Sequence, residues 1–159
     1  MFIDKRSGKI ALVAHCLLNQ NSRAIGLAKR SSIINEIIEF LVSKEIGIIQ
    51  MPCPELAYAG VLRKPKTREQ YDNAKFRGYC RKIAEEIANQ IREYVDCEVK
   101  LEIVLGVDGS PSCSVKEISG IFMEELRFKL NKRGISAPFY GIRLERLKSD
   151  IAKLEKCVK

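Results

Sequence analysis

The chain has 159 residues, the length of one domain with a core large enough to fold unaided. Hydrophobic residues make up 46% and charged residues 30%, with only 10 Gly and 5 Pro, which excludes a disordered or collagen-like chain. The balance of 28 Lys+Arg against 20 Asp+Glu gives +8, which favours anionic partners without identifying one.

No apolar run approaches the roughly 20 residues of a membrane span. Lys5, Arg6 and Lys9 precede the apolar run Ile10–Leu18, as in a short signal peptide. His15 interrupts that run, however, and no small-x-small cleavage site follows. The segment reads as a buried first strand, and the expected location is the cytoplasm. Six cysteines (Cys16, Cys53, Cys80, Cys97, Cys113 and Cys157) are spread over the chain without a CxxC pair. In that compartment they point to metal binding or catalysis before disulfides, with small core residues as the plain alternative.

In chain order, Ile10–Leu17 is a continuous apolar run suited to a strand buried on both faces. Asn19–Arg30 is polar, contains Gly26 and reads as a loop; Ser31 or Ser32 then caps a helix whose stripe is Ile33, Ile34, Ile37, Ile38, Leu41 and Val42. A second strand, Ile46–Met51, stops at Pro52-Cys53-Pro54, because proline cannot donate to a ladder. The basic stretch Arg63–Lys82 leads into a helix over Thr67–Tyr94, with Gly78 as the expected break. A third strand, Val99–Val107, ends in Asp108-Gly109-Ser110-Pro111. Ile121–Arg133 is an amphipathic helix capped by Gly134, Ile135–Tyr140 a fourth strand, and Arg143–Lys156 a charged terminal helix. This alternation predicts one domain over residues 1–159: an α/β, three-layer, Rossmann-like fold with a mostly parallel sheet of about four strands.

Cys16, Cys53 and Cys113 then fall at equivalent places, near or just past the ends of the first three strands. Open parallel sheets bind ligands outside the carboxyl ends of their strands, so thiols 37 and 60 residues apart in sequence can share one crevice. Cys80, Cys97 and Cys157 lie elsewhere and read as core or surface residues. Three thiolates suit zinc, with His15 as a fourth ligand, or a 4Fe-4S cluster with one iron left free. Neighbours on a strand point to opposite faces, which tells against His15 beside Cys16. The residues alone do not choose between the metals.

The segments Cys16-Leu17-Leu18-Asn19, Pro52-Cys53-Pro54-Glu55 and Gly109-Ser110-Pro111-Ser112-Cys113 resemble the three signature segments of the thiouracil desulfidase family, in order and spacing, over roughly Ile10–Gly141. Asn19 and Ser114 stand where that family commonly has glycine, and His15 where it has a small residue. The resemblance implies a cytoplasmic enzyme in which Cys16, Cys53 and Cys113 hold a 4Fe-4S cluster. Its free iron takes the sulfur of a small-molecule thiolated pyrimidine, which water replaces with release of hydrosulfide. It further implies Glu55 as the acid/base residue, Ser110 and Ser112 as substrate or proton-relay residues, and Arg63 and Pro65 as an Arg-x-Pro element.

The chemistry is coherent without the family. A soft thiocarbonyl sulfur suits iron, a Lewis acid draws electrons from its carbon, and a base near Glu55's position can activate water. Each residue also has a plainer role: Glu55 in capping a helix, Ser110, Ser112 and Asp108 in building a turn, and His15 in the core. Lys and Arg with Tyr71, Phe76 and Tyr79 in Arg63–Lys82 suggest a nucleic acid partner, but a solvated helix face is the preferred reading. Two other functions fit the same cysteines: a sulfur carrier delivering sulfide, and a non-enzymatic metal-binding module. Neither GxxxxGK[ST] nor GxGxxG is present, which argues against ATP-activated thiolation.

Overall fold

The computed structural model describes residues 2–158. Its centre is a sheet of four parallel strands, β1 (Lys9–Ala14), β2 (Gly47–Met51), β3 (Lys100–Val107) and β4 (Phe139–Ile142), in the order β2-β1-β3-β4. Ala11, Leu12 and Val13 of β1 and Ile103, Val104 and Leu105 of β3 are fully buried, as befits strands covered on both faces. Helix α2 (Asn35–Ser43) joins β1 to β2. Helices α5 (Ala74–Asp96) and α6 (Ile121–Lys132) lie in the next two crossovers and pack on each other, while α7 (Leu147–Cys157) follows β4 and packs on α2. The helices thus pack as two pairs, α2 with α7 and α5 with α6, which with the sheet make three layers.

The chain leaves β1 for β2 on one side and then crosses back to β3 on the other. The carboxyl ends of β1 and β3 therefore form a switch point, where loops diverge and a crevice opens.

Several boundaries differ from the expectation. The first strand stops at Ala14, and His15–Leu18 forms a short helix α1, closed by Asn19 N–H donating to the His15 carbonyl at 3.0 Å. A continuous apolar run does not reveal where strand becomes helix. The helix expected from Ser31 or Ser32 begins at Asn35 without a side-chain cap; Ile34 N–H donates instead to the Leu17 carbonyl. A six-residue helix, α3 (Pro54–Ala59), follows Cys53 and was not expected. The basic helix begins near Thr67 as expected, where Thr67 and Gln70 form a capping box over α4 (Arg68–Tyr71). Its break falls at Asp72-Asn73, and Gly78 lies inside α5. Ile135 is not in a strand: its N–H donates to the Leu130 carbonyl beyond Gly134, so it belongs to the C-terminal cap of α6.

Candidate active site

The three crevice-side thiols arrive by three routes. Cys16 sits in the first turn of α1, two residues past β1. Cys53 is the N-cap of α3, with Pro54 in its first turn, and the Cys53 Sγ accepts from Leu56 N–H at 3.4 Å. Cys113 lies in the loop after β3, whose folding depends on two close approaches. A Cβ at Gly106 would strike the Cys113 carbonyl, and one at Gly120 would strike the backbone of Ser112 and Cys113. Val107 N–H donates to Cys113 O at 3.0 Å, and Met123 N–H at the start of α6 donates to Ser112 O at 3.1 Å. The Cys113 loop is thereby clamped between β3 and α6.

These thiols line one cavity of about 240 Å³, together with His15, Arg23, Glu55, Arg63, Pro65, Lys66, Ser110 and Ser112. All six residues expected at the site, Cys16, Cys53, Cys113, Glu55, Ser110 and Ser112, are brought together there. A wider groove of about 910 Å³ between α2 and α7 carries mixed charge and no thiol, so size alone does not mark the site. The described residues contain no group of three His, Cys, Asp or Glu side chains arranged for a single metal ion. Cys80 is buried in α5, whereas Cys97 and Cys157 are exposed.

Glu55, only 8% exposed, projects from the first turn of α3. The Ser112 hydroxyl, fully buried, donates to Glu55 Oε2 at 2.5 Å, a short charge-assisted bond, and the Ser110 hydroxyl lies 3.4 Å from the same oxygen. Ser110 also accepts from Cys113 N–H at 3.1 Å and Ser112 N–H at 3.3 Å. It therefore builds the turn and touches the carboxylate. Asp108 lies outside this cavity and holds the loop: its Oδ1 accepts from Val115 N–H at 2.9 Å and Lys116 N–H at 3.1 Å.

Burial makes every one of these thiols a reluctant acid. Cys53 is pushed up to about 11, chiefly by burial, against the Leu56 N–H. Burial also raises Cys113, and the charges that Cys53 and Cys16 would carry raise it further. Cys16 is raised by burial and drawn back by Arg23. Thiols that oppose one another's ionisation suit a positively charged, thiolate-binding group, which removes the protons as it binds. The donor set fits such a group: three soft sulfurs, with Arg23 Nη1 3.8 Å from Cys16 Sγ and the Ser112 hydroxyl 3.7 Å from Cys113 Sγ. His15 lines the same cavity; burial lowers its pKa, and its Nδ1 has no protein partner.

Sequence reasoning missed Arg23 and Gln20. Buried Gln20 donates to the Cys16 carbonyl at 2.8 Å and accepts from Lys29 N–H at 2.9 Å, tying the Asn19–Arg30 loop over the site. A polar loop offers no signal that one glutamine is its hub. Gly106 did offer one, because glycine inside a buried strand marks a close backbone approach.

Thiols and a serine-held carboxylate, gathered around one small cavity at the switch point of a parallel sheet, define an α/β protein with a thiol-lined candidate site. Residues 8–157 match the family model described as "Putative 2-thiouracil desulfurase", and the chain belongs to that family. It is 40% identical over 127 residues to an uncharacterized protein of Methanocaldococcus jannaschii, MJ0003, covering 80% of this chain and 81% of that one. The solved structure of the 4Fe-4S-dependent thiouracil desulfidase TudS aligns over 93% of this chain and 99% of its own, with 16% identity and a TM-score of 0.47. No helix among the described residues is long and apolar enough to cross a membrane.

Proposed function

We propose that the chain is a single-domain, 4Fe-4S-dependent desulfidase that hydrolyses the carbon–sulfur bond of a small thiolated pyrimidine or similar thiocarbonyl compound. Cys16, Cys53 and Cys113 would hold the cluster. The three thiols line one cavity, as the ligands of one shared group must. Arg23 beside Cys16 and the Leu56 N–H beside Cys53 would offset part of the negative charge. When bound, the cluster supplies a Lewis-acidic iron with affinity for the substrate sulfur.

The observation that carries this reading is the Ser112–Glu55 bond inside the thiol-lined cavity. Ser112 and Ser110 fix one carboxylate oxygen, so Glu55 reaches the cavity in a defined orientation. Glu55 takes a proton from water as the water oxygen forms its bond to the thiocarbonyl carbon. The carbon–sulfur bond then breaks and the carbonyl forms. Glu55 returns the proton to the departing sulfur, which leaves as hydrosulfide with a proton released. Atoms balance as thiocarbonyl plus water giving carbonyl plus hydrogen sulfide, and no oxidant or reductant is consumed.

Anaerobic reconstitution with iron and sulfide, followed by sulfide-release assays on free thiopyrimidines, tests the reading. Replacing Cys16, Cys53 or Cys113 by Ser should abolish visible charge-transfer absorption and turnover, whereas Cys97→Ser and Cys157→Ser should leave both intact. Zinc in place of iron after strictly anaerobic preparation would overturn the cluster. Sulfide uptake onto an acceptor, without release, would favour a sulfur carrier.

A further inference from the structure

Glu55 has two carboxylate oxygens, and the serines account for one. Its Oε1 faces Arg63, whose Nε lies 3.7 Å away, and the two side chains are only 10% and 6% exposed. Among the described residues Arg63 is the one cation within ion-pair distance of Glu55. Its guanidinium is anchored from behind, because Nη1 donates at 3.1 Å to the carbonyl of Gly60. Gly60 ends α3 with φ +85, a left-handed conformation that glycine adopts without strain. Glu55 starts that same helix, so one short element sets both the base and the anchor of its partner. Arg63 Nε is buried and has no protein hydrogen-bond partner, although buried N–H groups are rarely left so. Essentially no surface of Nε is exposed, although other atoms of Arg63 line the cavity. Nearby, Tyr71 is buried outside the cavity lining, with its hydroxyl facing the same Arg63 side chain.

We propose that Arg63 is a positioning residue for the reaction, holding the Oε1 side of Glu55 as the serines hold Oε2, so that the carboxylate meets water at a fixed angle. Arg63 acts through Glu55 and leaves substrate binding to other groups. The inference rests on Glu55 being the base, as proposed above.

A double-mutant cycle tests it, with wild type, Arg63→Met, Glu55→Gln and the double variant compared by sulfide release, each at matched iron content. Coupling between touching groups predicts that Arg63→Met lowers kcat roughly ten- to a hundredfold, with KM changed by less than about threefold. In the Glu55→Gln background the same change should cost less than about threefold, because the group it positions is already disabled. Arg63→Lys, which keeps the charge but not the planar fork, should recover part of the loss. If Arg63→Met does not fold, Arg63→Lys serves in the same cycle. An equal loss in both backgrounds, or a rise in KM alone, would overturn the positioning role. Undiminished turnover in the Glu55→Gln single variant would instead overturn Glu55 as the base, so the two failures are distinguishable.

Discussion

The two oxygens of Glu55 keep different company, hydroxyls on one side and a guanidinium on the other, an arrangement that suits the proposed base better than a simple helix cap. A capping carboxylate would turn toward the free N–H groups of its own helix. In α3 the Cys53 sulfur already accepts from Leu56 N–H, which leaves Glu55 to face the cavity. Glu55→Gln keeps size and some hydrogen bonding but removes the base. Iron content should therefore stay at the wild-type level while turnover falls roughly 10²- to 10⁴-fold. Iron analysis beside a sulfide-release assay reads both. Loss of iron would make Glu55 structural; unchanged turnover would place the base on Ser112 or His15, which share the cavity.

At the scale of elements, the site depends on how closely the Cys113 loop approaches β3 and α6. Gly106→Ala pushes a methyl against the Cys113 carbonyl, the Met123 Cε and a Val115 methyl. Overpacking of this kind costs about 1–3 kcal/mol, and here the strain falls on a proposed ligand. The variant should melt several degrees lower and take up substoichiometric iron. Gly78→Ala is the control: it lies inside α5 with nothing within 4 Å of a new Cβ, so it should stabilise by up to about 1 kcal/mol and leave iron unchanged. Thermal melts and iron analysis of both variants check the contrast.

These elements also mark how far the sequence could be read. Buried parallel strands appear as apolar runs cut off by Pro, Gly or Asp, so the ends of β2 and β3, with Cys53 and Cys113 just beyond them, were legible. The end of β1 was not, because His15–Leu18 stays largely apolar through the change from strand to helix. Helix α3 is too short for a hydrophobic period to emerge, and Arg23 and Gln20 act through a loop whose fold no local pattern encodes. Gly78 does not break the helix, because helix interiors tolerate glycine where tertiary packing holds the helix, and α5 buries Phe76, Cys80, Ile83, Ala84, Ile87, Ala88 and Ile91.

For the whole molecule the net charge of +8 stands, but the basic segment Arg63–Lys82 is less open to a polyanion than its number of Lys and Arg suggests. Within the basic segment Arg68 pairs with Glu124 at 2.5 Å and Arg77 with Asp72 at 2.6 Å, so part of that charge is spent within the fold. What the fold does leave open is a link between distant segments. Cys16, Cys53 and Cys113 stand 37 and 60 residues apart and leave three adjacent strands, so one group ligated by all three closes two long loops. Loop closure of this length restricts the unfolded chain, and a group bound only by the folded state stabilises it further. A few kcal/mol from this source corresponds to a rise of roughly 5–10 °C, since 1 kcal/mol is worth about 2–4 °C in a domain of this size. Cluster-loaded protein should therefore melt that much higher than the metal-free form under anaerobic calorimetry. Cys53→Ser should lose the increment, with its metal-free melting point within about 3 °C of the metal-free wild type, while exposed Cys97→Ser should keep it. Equal melting of loaded and stripped wild type would mean that the three thiols do not tie the strands through a common group.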